Sequence, residues 1–307
     1  MRIAAVGECM IELSPDGQGG WRLGFAGDTF NTLWTVRGLL GDGATDYVSA
    51  FGDDDFSRQQ LAFFARHGIG TAQSPTIAGG LPGLYAITLK GAERSFTYWR
   101  GDSVARHLAD DTDRLLQSLD DRELVYFSGI TLAILPAKAR AALLEALGTV
   151  RAAGTRIAFD PNYRPRLWTS RAEAAEAIAA GAGLADIALP TFDDERELFG
   201  DVDPAATARR LAALGVGECV VKNGAGPALL LTKTESLSID ACGDARPVDT
   251  SGAGDAFNGG YLSARLRGAA PADSVKFAHR IAAVAIGERG ALIPFEKLKA
   301  VPTAMER

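Results

Sequence analysis

The sequence is short of the residues that announce specialised chemistry. It has three cysteines in 307 residues, Cys9, Cys219 and Cys242; odd in number and far apart, they make neither a disulfide framework nor a zinc-type spacing. A reducing cytoplasm is therefore the expected compartment. No apolar run is long enough to span a membrane. Met1 to Met10 holds Arg2 and then a strand-like run, without the long apolar core and small-residue cleavage site of a secretory leader, so none is expected there. Positive charge is not in excess either: 32 Lys+Arg face 38 Asp+Glu, a formal net charge of -6, which gives nucleic acid or an anionic membrane no electrostatic reason to bind. An anionic ligand would need locally placed arginines. Also missing are internal repeats, low-complexity tracts and linkers. The early strand is followed by Gly7-Glu8-Cys9 and not by the Gly-x-Gly-x-x-Gly turn of dinucleotide-dependent oxidoreductases, which disfavours that class.

What is present is a core. Nearly half the residues, 47%, are apolar, and the length allows one large α/β domain or two smaller ones. With no linker, a single unit over 1–307 is expected. Short β-rich runs alternate with amphipathic helical runs, the pattern of βαβ units and a mainly parallel sheet. Strands are expected at Ile3–Val6, Tyr47–Ala50, Leu124–Phe127, Arg156–Asp160, Ile187–Leu189, Glu218–Lys222 and Ala228–Thr232. Helices are expected at Asp55–His67, Ala137–Ala153, Ala205–Leu214, Gly254–Arg267 and Ala272–Glu288.

Two stretches, about 9–25 and 84–100, break the alternation and read as antiparallel strands with turns, the second with Lys90-Gly91-Ala92-Glu93 between its arms. Together they are expected to form a small sheet outside the main one. Tyr85, Phe96, Tyr98 and Trp99 are costly to leave in water, so this sheet is expected to be a lid over the ligand crevice or a dimer surface. Strand alternation puts Tyr98 and Arg100 on one side and Trp99 on the other.

The most informative string is Asp249-Thr250-Ser251-Gly252-Ala253-Gly254-Asp255-Ala256-Phe257, a polar turn running into an apolar-periodic helix. Glycines let the backbone approach a phosphate, and the free N–H groups of a helix's first turn suit an anion. Asp255 then sits beside an oxyanion hole made by 252–254; alternatively it is an ordinary acidic residue at a helix start. The string resembles the second signature of the ribokinase (PfkB-type) carbohydrate kinases, Asp-Thr-Thr-Gly-Ala-Gly-Asp-Ala-Phe, with Ser251 the one departure. The resemblance implies a three-layer α/β/α sandwich with a mainly parallel sheet and a small β lid. It also implies Asp255 as catalytic base, Gly252, Ala253 and Gly254 as backbone donors to the transferring phosphoryl group, and ATP and Mg²⁺ as partners of the reaction, with a monovalent cation such as K⁺ a further candidate.

Other segments extend the resemblance over essentially the whole chain. Gly24-Phe25-Ala26-Gly27-Asp28-Thr29-Phe30-Asn31 is similar to the first signature: Asp28 and Asn31 suit vicinal hydroxyls, Gly27 leaves room for a sugar carbon, and Asp28 also suits an N-cap. Asp53 is read as structural. Val221-Lys222-Asn223-Gly224-Ala225-Gly226 resembles the nucleotide loop, giving Lys222, Gly224 and Gly226 to ATP. The family's Asn-x-x-Glu, which organises Mg²⁺ and phosphate, falls at Thr191-Phe192-Asp193-Asp194-Glu195, with Thr191 in place of Asn; Asp194 and Glu195 are the candidate metal residues, acting through water, or else an acidic first helical turn.

Three strings, Gly7-Glu8-Cys9-Met10-Ile11-Glu12-Leu13, Glu93 to Arg100 and Asp160-Pro161-Asn162-Tyr163-Arg164, look like the 2-keto-3-deoxygluconate kinase branch. That resemblance gives Tyr85, Tyr98, Arg100 and Arg164 to a sugar acid, Asn162 and Arg164 to the nucleotide phosphates, and a homodimer or higher homo-oligomer as the assembly. Arginine is suited to a planar, bidentate grip on carboxylate. A fructokinase or other sugar kinase, and a non-catalytic sugar sensor, are the alternatives.

Overall fold

The computed structural model describes residues 1–41, 43–90, 93–241 and 247–302. Thirteen strands are found among them: β1 Arg2–Val6, β2 Met10–Pro15, β3 Trp21–Ala26, β4 Ala44–Val48, β5 Ile69–Gly70, β6 Leu84–Lys90, β7 Glu93–Trp99, β8 Leu124–Ser128, β9 Arg156–Asp160, β10 Ile187–Ala188, β11 Glu218–Val221, β12 Ala228–Thr232 and β13 Ser236–Ile239. Nine of these form the main sheet in the order β13-β12-β11-β10-β9-β8-β1-β4-β5. From β11 to β5 every pairing is parallel; β12 runs against the rest, and β13, antiparallel to β12, returns to the common direction.

The central strands are apolar throughout because both faces are covered. Ala4, Val6, Val125, Phe127, Ile157 and Phe159 pack into one core layer. Ile3, Ala5, Leu124, Tyr126 and Ala158, their neighbours in alternation, pack into the other. The helix Ala137–Ala152 sends Leu143 and Leu147 into the first layer. The helices Asp28–Leu40 and Ala253–Leu266 send Phe30, Leu33, Phe257 and Tyr261 into the second. The result is a three-layer sandwich whose parallel strands deliver their carboxyl ends to one edge, where α/β proteins hold ligands.

The remaining four strands make the lid sheet, in the order β3-β2-β6-β7. The two excursions meet where β2 pairs parallel with β6, Ile11 opposite Leu84. Alternation gives this sheet two unlike faces. Met10, Glu12, Tyr85, Ile87, Phe96 and Tyr98 look onto the cleft. Trp21, Leu23 and Trp99 lie on the other face and are 52%, 37% and 59% exposed. The expected turn at Gly91-Ala92 and Cys242 lie outside the described residues.

Some boundaries differ from expectation for identifiable reasons. β4 occupies Ala44–Val48 and not Tyr47–Ala50, because β1 pairs it from Arg2↔Ala44 to Val6↔Val48. Its polar residues find partners there: Thr45 donates to the Gly68 carbonyl, and Asp46 is ion-paired with Arg122. The helix Arg171–Leu184, rich in alanine and glycine, had no apolar period to mark it. Asp28 is not a cap: Gly27 holds the N-cap position without a side-chain bond, and Asp28 is the first helical residue.

Candidate active site

A cleft of about 970 Å³ lies between the carboxyl edge of the main sheet and the lid, large enough for two small-molecule substrates. Its floor is built by two helix starts. Gly252 caps the helix Ala253–Leu266 with φ +71°, a left-handed conformation open to glycine. A Cβ there would also approach Ala291 Cα to 2.9 Å. This turn puts residues 252–255 on the cleft wall beside the Asp255 carboxylate, with the Ala253 N–H on the Thr250 carbonyl at 3.3 Å. At the other helix start, a Cβ on Gly27 would come within 2.1 Å of the Glu8 carbonyl oxygen, so only glycine permits that packing.

One amide joins the two. Asn31 Nδ2 donates to Asp255 Oδ2 at 2.8 Å, and its Oδ1 accepts the Gly27 N–H at 3.3 Å. Thr32 Oγ1 adds a bond to the Asp255 carbonyl at 3.2 Å. The Asp255 carboxyl is pushed up to about 7, first by desolvation and next by the nearby Asp28 charge, while Asn31 and Lys222 pull the other way. A carboxylate poised near neutral pH is matched to taking a proton from a hydroxyl.

Behind the helix start lies a buried charge network. Lys222 Nζ donates to Asp160 Oδ2 at 2.7 Å and to Asn258 Oδ1 at 3.1 Å. Asn258 donates in turn to Asp160 Oδ2 and to the Tyr126 hydroxyl. Lys222 thus sits under the 252–254 turn, 3.7 Å from the position of a Cβ on Gly254. Asn162, held at φ +35° by its own N–H bond to Asp160 Oδ1, donates to Asp28 Oδ2 at 2.9 Å. Asp28 and Asn31 therefore both face the cleft with fixed orientations.

Toward the lid, Tyr85 donates to Glu12 and its ring lies 5.7 Å from that of Tyr98. Burial and the Glu12 charge push the Tyr85 phenol above its ordinary range. Arg100 is ion-paired with the buried Glu8. Arg164, half exposed, donates to the Tyr163 carbonyl at 2.7 Å and to Asp194 Oδ2 at 3.1 Å. Gly224 and its neighbours Asn223 and Ala225 line the cleft near the helix start, with Gly224 at φ +57°.

Two expected residues stand elsewhere. Gly226 closes the Asn223 turn from behind, its N–H on the Asn223 carbonyl, and is absent from the cleft wall. Glu195 is fully buried against Arg210, away from the cleft, and burial lifts its carboxyl to about 7 against the pull of Arg210. A helix turns about 100° per residue, so Asp194 and Glu195 cannot both face the cleft. Asp194 does; burial raises its carboxyl while Arg164 opposes the shift. Residues not singled out from the sequence also line the cleft: Glu8, Glu12, Ile130, Asp160 and His279. Asp160 ends β9 and Glu8 follows β1 by two residues, both at the carboxyl edge, a signal that was available. His279 lies on the helix Pro271–Ile286 with nothing local to mark it.

A titratable carboxylate beside a helix-start anion hole, at the edge of a parallel sheet and under a β lid, defines the ribokinase-like small-molecule kinases. Residues 1–298 match the model of the pfkB family carbohydrate kinases, and the chain belongs to that family. The chain is 41% identical to a 2-dehydro-3-deoxygluconokinase of Dickeya dadantii, over 97% of this chain and 98% of the relative. It is 38% identical to a 2-dehydro-3-deoxygluconokinase of Escherichia coli, over 97% and 99%. Among solved structures, aminoimidazole riboside kinase from Salmonella enterica, in complex with aminoimidazole riboside and an ATP analog, superposes with a TM-score of 0.82 at 26% identity, covering 98% of this chain and 99% of that one.

Proposed function

We propose that the protein transfers the γ-phosphoryl group of ATP to the C6 hydroxyl of 2-dehydro-3-deoxy-D-gluconate. The observation that carries this reading is the layout of the cleft: a proton-accepting carboxylate beside N–H donors at one end, and tyrosines with arginine at the lid end. The full-length likeness to kinases of that substrate supports it. In the reaction Asp255 takes the C6 proton as the oxygen attacks the γ-phosphorus; the new O–P bond forms while the bond to the ADP oxygen breaks. The N–H groups around 252–254 receive the oxygens that gain charge, and Lys222 adds a buried cation beneath them. Asp28 and Asn31 hold sugar hydroxyls; Tyr85, Tyr98, Arg100 and Arg164 hold the acid end. Asn162 and Arg164 reach the phosphates.

The donor set fits Mg²⁺ delivered on the nucleotide. Among the described residues no group of three His, Cys, Asp or Glu could hold a metal, whereas Mg²⁺ commonly keeps its waters and binds through substrate phosphates and one or two carboxylates. Asp194, which lines the cleft, is the carboxylate that would meet that hydration shell. The ion would neutralise phosphate charge. Release of ADP over a panel of keto-deoxy sugar acids, fructose, ribose and nucleosides tests the assignment; preferred turnover of a neutral sugar would overturn it. Replacing K⁺ by tetramethylammonium in that assay tests the monovalent cation.

The reading treats residues 1–307 as one kinase unit, working in the cytoplasm as a homodimer joined through the outer lid face. Trp21, Leu23 and Trp99 on that face, beside the open edges of the sheet, support the dimer. No helix among the described residues is long and apolar enough to cross a membrane. A monomer in equilibrium sedimentation at high micromolar concentration would refute the dimer.

A further inference from the structure

Glu8 has no part in the chemistry above, yet it is among the most constrained side chains in the cleft. It follows β1 at the carboxyl edge of the main sheet, 1% exposed, and its Oε2 pairs with Nη2 of Arg100, which follows β7 at the foot of the lid and is 12% exposed. The pair is end-on. Glu8 Oε1 and Arg100 Nε are both buried without a hydrogen-bond partner, although the two groups have the shapes for a double contact. Two glycines make room for this arrangement. A Cβ on Gly83 would lie 2.6 Å from Glu8 Oε1 and 3.2 Å from Arg100 Cβ, and one on Gly27 would strike the Glu8 carbonyl.

An arginine on a lid strand has several rotatable bonds, and holding it in one rotamer costs entropy. Glu8 removes that freedom from the core side. Grasping one corner of the guanidinium, it leaves the other N–H edges for a ligand and ties the lid's foot to the main sheet. We propose that Glu8 is the positioning residue for Arg100: it fixes the direction of the guanidinium toward the substrate's carboxylate by the reach of its side chain. The proposal rests on Arg100 binding that carboxylate.

Substitutions separate reach from charge. Glu8→Asp keeps the charge but is one methylene too short, and the expected result is an increase of about tenfold in KM for the sugar acid, with kcat and the KM for ATP moving much less. Glu8→Gln keeps an acceptor at the same reach, and KM is expected to stay near the parent value. In an Arg100→Met background Glu8→Asp should raise KM no further. The opposite order, Gln defective and Asp normal, would overturn the proposal, as would equal increases in both backgrounds, which would mean that Glu8 acts without Arg100. If Arg100→Met alone leaves the sugar-acid KM unchanged, the carboxylate reading itself has failed, and Glu8's role with it. Both Glu8 variants retain a polar group of similar size, so thermal unfolding identifies any loss due to misfolding.

Discussion

Replacing Asp255 with Asn should make the protein a poor catalyst and a more stable fold, and both effects follow from one carboxylate. The amide keeps the shape and can still accept the Asn31 bond, but it cannot take a proton. Turnover should fall about a hundredfold to ten-thousandfold with both substrates still bound. The stability effect comes from linkage. Burial pushes the carboxyl from its ordinary 3.8 up to about 7 in the fold, so between those values the folded state binds a proton that the unfolded state has lost. Stability from this group is then full below about pH 4, declines as pH rises, and is gone above about pH 7. That difference corresponds to at most about 4 kcal/mol, since cleft water still reaches the carboxylate. Asn carries no such charge. In urea unfolding of the ligand-free protein, Asp255→Asn should therefore exceed the parent by a few kcal/mol near pH 8, with the gap closing toward pH 4. Parallel stability curves for the two proteins across that range would refute the reasoning, and so would near-normal turnover.

The same titration gives a kcat/KM profile that rises with pH and levels off above about 7; a profile flat from about pH 5.5 to 8 would exclude Asp255 as the base. Arg100→Leu should cut the specificity constant for the sugar acid by at least about tenfold while barely affecting a neutral sugar, and equal losses on both would sink the carboxylate clamp. That variant strands the Glu8 charge, a loss on the order of 3–5 kcal/mol, and combining it with Glu8→Gln should recover much of the stability in a melting experiment. Arg164→Leu should raise KM for both substrates, since its guanidinium bonds Asp194 and lines the shared cleft; an effect confined to the sugar would remove Arg164 from the phosphates. Glu195→Gln should leave the Mg²⁺ dependence of turnover unchanged, and a weakened Mg²⁺ response would bring that carboxylate back to the metal.

Local patterns were legible in the sequence, and distant partnerships were not. The helix start at 252–255 could be read because turn, glycines and apolar period lie side by side. Ala228–Thr232 emerged with its ends intact because its neighbours are polar turns. By contrast, nothing around Lys222 announces its bond to Asp160, 62 positions away. Glu8 looks like the end of a strand until the lid folds back and brings Arg100 across 92 positions. Nothing local encodes such pairs; strand order does, and strand order is settled by the whole sheet. The Glu195 expectation failed for a simpler reason: consecutive acidic residues on a helix point in different directions.

The single amide of Asn31 has a consequence for how this architecture adapts. By clasping Asp255 and the Gly27 turn together, it locks the reacting end of the cleft to two packed helices, leaving the hairpins as the adjustable part. Selectivity can then drift by exchanging side chains on β6 and β7, or by altering the angle at which they sit, without moving the proton acceptor relative to the anion hole. The helix starts form the rigid part of the cleft, and the lid strands the part open to replacement.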